Sequence, residues 1–329
     1  MSAREHINEY FNGQPFMILC ALLLMAGTAV AMSMGVRPAH VESSGIFFKL
    51  NAPLFEPGPL SAAINVLCLL VMGGVMLALN KVFSYIRSVT HLFVSSFLLL
   101  QLAHPAGLVA FNAGTLLALV TVLLVLPLFA SYQDRHSQRN IFLVFAVIAA
   151  GSMFHYGFLV LIPAFLLGFL YMGVLNLKGV LAMLFGLITP FWIVLGMGIA
   201  TPADFMPPHF DGIWNLTDVH EVRVTHVVAS LIAVMGIVLA VMNMMTILNY
   251  RMQTRVYNAF IVLVLVMAVI ALCIDCGNMA VYLPLLSLMV AVQIAHAHTL
   301  RTSLQFRFVF ILLLIAGCLG FYAANLLMP

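Results

Sequence analysis

Apolar runs of about twenty residues, separated by short polar breaks, recur along almost the whole chain. Candidate spans fall near 15–35, 59–79, 91–103, 114–131, 141–154, 158–175, 180–200, 227–248, 259–273, 279–298 and 308–327. A lone helix needs at least ~17 apolar residues to cross the hydrocarbon of a bilayer. Most of these runs meet that length. The runs 91–103, 141–154 and 259–273 fall short, so they are expected to sit inside a bundle or to borrow length from their flanks. The pattern therefore predicts an all-α fold, a polytopic transmembrane bundle of about eleven spans, within a range of ten to twelve. Residues 1–14 form a polar segment ahead of it, and 15–329 form a single bundle with two long loops, 36–58 and 201–226.

The first run begins at Pro15 and is too long for the apolar core of a secretory signal. It also ends without a small-residue cleavage pattern, so it reads as a retained helix. Prolines 127, 163, 190 and 284 fall within spans and are expected to kink them. Composition agrees with a lipid solvent: of 329 residues, 64% are hydrophobic and 7% charged, with a mean hydropathy of +1.16, against roughly 25% charged in a soluble domain. No run of cations exists to neutralise a nucleic-acid backbone, so nucleic acid is not an expected partner.

Charge placement gives the orientation, because Lys and Arg are retained in cytoplasmic loops. With the N-terminus inside, ten cations (Arg4, Lys81, Arg87, Arg135, Arg139, Lys178, Arg251, Arg255, Arg301 and Arg307) face the cytoplasm. Only Arg37, Lys49 and Arg223 face out, together with seven of the ten acidic residues. An N-terminus in the cytoplasm follows, and the two long loops are then external. Both loops carry aromatic or apolar side chains, Ile46, Phe47, Phe48, Leu54 and Phe55 in one and Phe205, Phe210 and Trp214 in the other, and are expected to fold back onto the membrane interface.

No Asp, Glu, Lys or Arg lies at mid-span, which argues against an ion-coupled pump, since such proteins hold ionisable groups at membrane depth. The histidines near spans fall at span ends, which disfavours a b-type haem. Phosphate-binding loops, dinucleotide fingerprints and hydrolase motifs are absent from the sequence. Polar groups gather instead on the external side: Glu42, Glu56, His104, His155 with Tyr156, and Asp275. Glu42 or Glu56 is the candidate carboxylate for general-base work, and His104 or His155 the candidate phosphate contact. These four are the candidate catalytic residues, and no cofactor or metal is assigned. Cys273 and Cys276 have C-x-x-C spacing, yet the odd total of five cysteines argues against a disulfide framework.

Several segments carry a family likeness: Arg139-Asn140-Ile141-Phe142, then Ser152-Met153-Phe154-His155-Tyr156, Gly186-Leu187-Ile188-Thr189-Pro190-Phe191, and Tyr282-Leu283-Pro284-Leu285. With these the chain resembles a family of uncharacterised multi-pass inner-membrane proteins of Bacteroidota-type bacteria, a domain of unknown function. That resemblance implies a bundle in a bacterial inner membrane and no particular activity. The chain is also similar, more weakly, to multi-pass glycosyltransferases that use polyprenyl-phosphate sugars, although their adjacent acidic pair after the first span is missing. Two readings of different class follow. One is an envelope enzyme or accessory protein acting on a lipid-linked substrate at the outer leaflet. The other is a lipid or small-solute transporter, with a polar cavity lined by residues such as Asn65, Gln101 and Asn243, or a membrane scaffold.

Overall fold

The computed structural model describes residues 10–39, 45–49, 56–86, 90–213, 224–247, 251–300 and 304–327. Within them lie α1 (Gln14–Ser33), α2 (Pro59–Phe83), α3 (Leu92–Leu102), α4 (Ala113–Ala130), α5 (Gln138–Phe154), α6 (Leu161–Tyr171), α7 (Leu177–Gly196), α8 (Val224–Ile247), α9 (Met252–Ile274), α10 (Met279–Leu300) and α11 (Leu304–Leu327). Each predicted span is one helix. Eight are long and apolar enough to cross a membrane by length and composition, and the shorter ones are α3, α5 and α6.

Two lengths correct the sequence reading. The span placed at 259–273 begins seven residues earlier, because Met252 to Asn258 continues the helix with polar and basic residues that hydropathy discounts. The span placed at 158–175 is shortened at both ends. A 3-10 turn over Tyr156–Val160 precedes it, and its helix stops at Tyr171, before Gly173 adopts φ +72°, a conformation that glycine tolerates best. Pro127, Pro190 and Pro284 are interior to α4, α7 and α10. Pro163 lies in the first turn of α6, where a missing N–H removes no helical bond.

Helix α10 is the axis of the bundle. Every residue from Asn278 to His298 is buried, and α3, α4, α8 and α9 pack around it. Lipid tails are as apolar as leucine, so helices associate here through close packing and interhelical hydrogen bonds rather than through exclusion of water. Close packing is visible at Gly114 of α4, where a Cβ would stand 2.6 Å from the Val281 carbonyl oxygen at the start of α10. Gly186 of α7 likewise lies against the α5 backbone, 2.6 Å from the Phe142 carbonyl oxygen by the same construction.

Hydrogen bonding is concentrated in an amide ladder across three helices. Asn243 of α8 donates to the Gln293 side-chain oxygen at 3.0 Å and to the Gln293 carbonyl at 2.8 Å. Gln293 of α10 donates in turn to Asn258 of α9 at 3.1 Å. Between α4 and α9, the rings of Phe129 and Tyr257 stack at 4.1 Å, and the Tyr257 hydroxyl donates to the Phe129 carbonyl. The outermost helices contrast with this core. In α7 only Gly179 and Gly186 are buried, while Trp192 and Met197 stand mostly exposed, as a lipid-facing helix requires.

Candidate functional site

The α1–α2 and α7–α8 loops meet over the end of α5. A helix leaves its last carbonyls without intrahelical donors, and the α1–α2 loop supplies three: Ile46 N–H donates to the Ser152 carbonyl at 3.1 Å, and Phe47 and Phe48 N–H donate to the Met153 carbonyl at 3.3 and 3.0 Å. The approach requires glycine at 45, because a Cβ there would stand 2.2 Å from the Met153 oxygen. Phe48 stacks on Phe154 at 5.2 Å, and Phe47 meets Phe191 of α7 edge-on at 6.1 Å.

The α7–α8 loop is laid over this strip. Met206 N–H donates to the Ile46 carbonyl at 3.0 Å, the Tyr156 hydroxyl donates to the Met206 carbonyl, and Phe210 packs edge-on against Tyr156 at 6.3 Å. Gly277 N–H donates to the Asp211 carbonyl at 3.1 Å, tying the same loop to the start of α10. The described parts of both loops therefore fold onto the end of the bundle, where their aromatic side chains pack against protein. Leu54, Phe55 and Trp214 lie outside the described residues.

Between the loops is a hollow of about 550 Å³. Phe47, Phe48 and Lys49 line one side, and Ala200, Ala203 and Phe205 the other. Ile199, at the end of lipid-facing α7, also borders it. Asp204 lines the hollow too, but one of its oxygens already accepts from the Thr201 N–H at 2.7 Å and the Thr201 hydroxyl at 2.8 Å. The backbone bond, followed by the hydroxyl bond, holds this carboxyl below its usual value, so it stays ionised at neutral pH.

His155 is buried at the C-terminus of α5, and its Nδ1 accepts the Gly157 N–H at 2.9 Å. That bond places the ring proton on Nε2 and shapes the tight turn between α5 and α6. Asp275 is buried at the end of α9 and accepts from Asn278 at 3.0 Å and from the Tyr282 hydroxyl at 3.1 Å. Gly157 lies against Val281, so the His155 turn rests on the first turn of α10.

His104 occupies another quarter of the same face. Its turn packs with α1, α3 and α11, whereas the turn after His155 packs with α5, α6 and α9. His104 is buried and neither ring nitrogen has a partner among the described residues. Burial lowers the imidazole to about 4, leaving it neutral at pH 7. Nearby, Asn65 donates to the Gly107 and Leu108 carbonyls at 2.9 and 3.2 Å and accepts from the Thr115 hydroxyl at 2.7 Å. Asn65 thus fastens α2 to the α3–α4 turn and does not line a channel. Glu56 is exposed at the approach to α2, and Glu42 lies outside the described residues. Of the four candidates, the structure brings only His155 into the wall of joined loops. Sequence reasoning missed Lys49 and the hollow. The signal available was a basic residue, Lys49, beside the paired Phe47 and Phe48 in a long loop.

The depressed imidazole has a consequence for stability. An unfolded histidine near 6.5 binds protons that the buried ring refuses, so stability present above that value is lost as pH falls through it toward 4. The thermal midpoint of the purified protein is expected to fall between pH 7 and pH 5, and to fall less in His104→Asn. An equal fall in both proteins would assign the effect to other groups.

The described residues hold no group of three or more His, Cys, Asp or Glu able to bind a metal. Cys273 is exposed and Cys276 buried, and both are free thiols. An all-helical bundle with eight long apolar helices, an axial helix sealed from lipid and loops folded over one end defines a multi-pass membrane protein. The chain belongs to the family of unknown function DUF6427, whose model matches residues 44–328. No curated protein and no solved structure matches it.

Proposed function

We propose that the protein is an accessory factor of the bacterial envelope that holds a phosphate-bearing, lipid-linked substrate at the outer leaflet of the inner membrane. The hollow between Lys49 and Phe205 carries this reading. It lies at the end of the lipid-facing α7, with aromatic walls for the first isoprenoid or acyl segment and one ammonium for a phosphate. Backbone bonds fix its walls, so little ordering is needed on binding. A catalytic version would require an imidazole on the hollow, whereas His104 and His155 are both buried and neither lines it, which favours holding over chemistry. Asn65 and Asn243 are committed to interhelical bonds, which weighs against a polar transport cavity.

The test uses the full-length protein in phosphatidylcholine nanodiscs, titrated with undecaprenyl phosphate and with undecaprenol. The phosphate form is expected to bind more tightly, and Lys49→Gln to weaken it about ten-fold, the scale of one hydrogen bond to a charged group. Equal binding of both lipids, or no change in Lys49→Gln, would sink the proposal.

A further inference from the structure

At the opposite end of the bundle the amide ladder fixes how α9 and α10 lie side by side. The two helices run antiparallel, and Gln293 pairs with Asn258. One turn further from the loop face, three residues along on each, that register sets Arg255 of α9 and His296 of α10 at the same level of the bundle. His296 is 2% exposed and its Nε2 has no partner among the described residues. The Arg255 Nε is also buried without a partner.

Two unfilled nitrogens thus sit at matched positions beneath a ladder whose own amides bond one another. Leaving such groups empty in a low-dielectric setting is costly, and α8 to α11 supply nothing to neutralise the guanidinium. The only acidic residue from 224 to 329 is Asp275, at the far end of α9. Exposed Arg251 stands one turn before Arg255 and adds a second positive charge at the rim. A guanidinium fork binds two oxygens of a phosphate at once, and an imidazole with its proton on Nε2 donates to the same ligand.

We propose that Arg255 and His296 form a binding site for one phosphate group, entered from the face of the bundle that carries Arg251. The site is independent of the hollow between the external loops. Its phosphate comes either from the headgroup of an inner-leaflet lipid or from a free anion in solution.

The experiment follows the thermal midpoint of the full-length detergent-solubilised protein during titration with sodium phosphate or with dihexanoyl phosphatidic acid, ionic strength being matched with sodium chloride. A rise with both ligands identifies a free oxyanion site, and a rise with phosphatidic acid alone identifies a headgroup site; either result supports the proposal. Arg255→Gln is expected to abolish the rise, and Arg255→Lys, which keeps the charge but loses the fork, to weaken binding about ten-fold. His296→Gln is expected to weaken it and Arg251→Gln to leave it nearly intact. No rise with either ligand overturns the proposal. So does a rise that survives in both Arg255 variants, or one lost as fully in Arg251→Gln as in Arg255→Gln.

Discussion

Replacing Gln293 with leucine is expected to destabilise the bundle by about 1–3 kcal/mol, although the volume scarcely changes. Gln293 accepts from Asn243 and donates to Asn258, so the leucine leaves two buried amides short of a partner on different helices. Single interhelical bonds in lipid average nearer ~0.6 kcal/mol, but here one residue serves two neighbours and both lose at once. The measurement is unfolding by SDS titration in mixed micelles. The triple variant Asn243→Leu, Gln293→Leu, Asn258→Leu is expected to recover part of the loss, because it removes the stranded groups as well as the bonds. A triple variant weaker than the single one would show that the ladder does not act as a unit.

Gly114→Val is expected to cost more, on the order of 3 kcal/mol, with most of the protein lost from the membrane fraction. The new Cβ would stand 2.6 and 2.7 Å from the carbonyl oxygens of Val281 and Ala280 and 2.8 Å from the Val281 Cα. All three are backbone atoms, so no rotamer change relieves the clash and α4 must move away from α10. Gly317→Ala in α11 is the control. Nothing lies within 4 Å of a Cβ there, and alanine favours the helix by about 0.5–1 kcal/mol over glycine. Membrane abundance and SDS resistance of the two variants should move in opposite directions. Similar losses in both would mean that helix contact at Gly114 is not what limits stability.

Hydropathy alone revealed the number and order of the helices, since each span is a contiguous apolar run and lipid leaves the backbone few other solutions. It did less well at ends. Arg255 and Asn258 belong to α9 although their polarity marks a loop, and Phe158 to Val160 belong to a 3-10 turn although their apolar character marks a span. Which helix lies at the centre was hidden, because spans that are apolar all round show no stripe to orient them. The trace of α10 was its polar content, Gln293, His296 and His298 near one end. Such groups are tolerated when protein rather than lipid surrounds them. At the candidate site, the aromatic content of Phe47, Phe48 and Phe210 pointed to loops that pack rather than extend into water, but not to the α5 end as the surface they pack on. The separation of His104 from His155 was not, because which turns of a bundle become neighbours depends on the lateral order of helices, and alternating topology says nothing about that order.

Because the axis of the bundle is the tenth of the eleven described helices, the order of synthesis and the order of packing oppose one another. Helices α3, α4, α8 and α9 enter the bilayer before the element they surround, and a chain emerges N-terminal end first. Until α10 arrives, Asn243 and Asn258 must find temporary partners in lipid or in the insertion machinery. A nascent chain halted at residue 270 should therefore be a prime substrate for membrane proteases, whereas one halted after residue 300 already holds its axial helix.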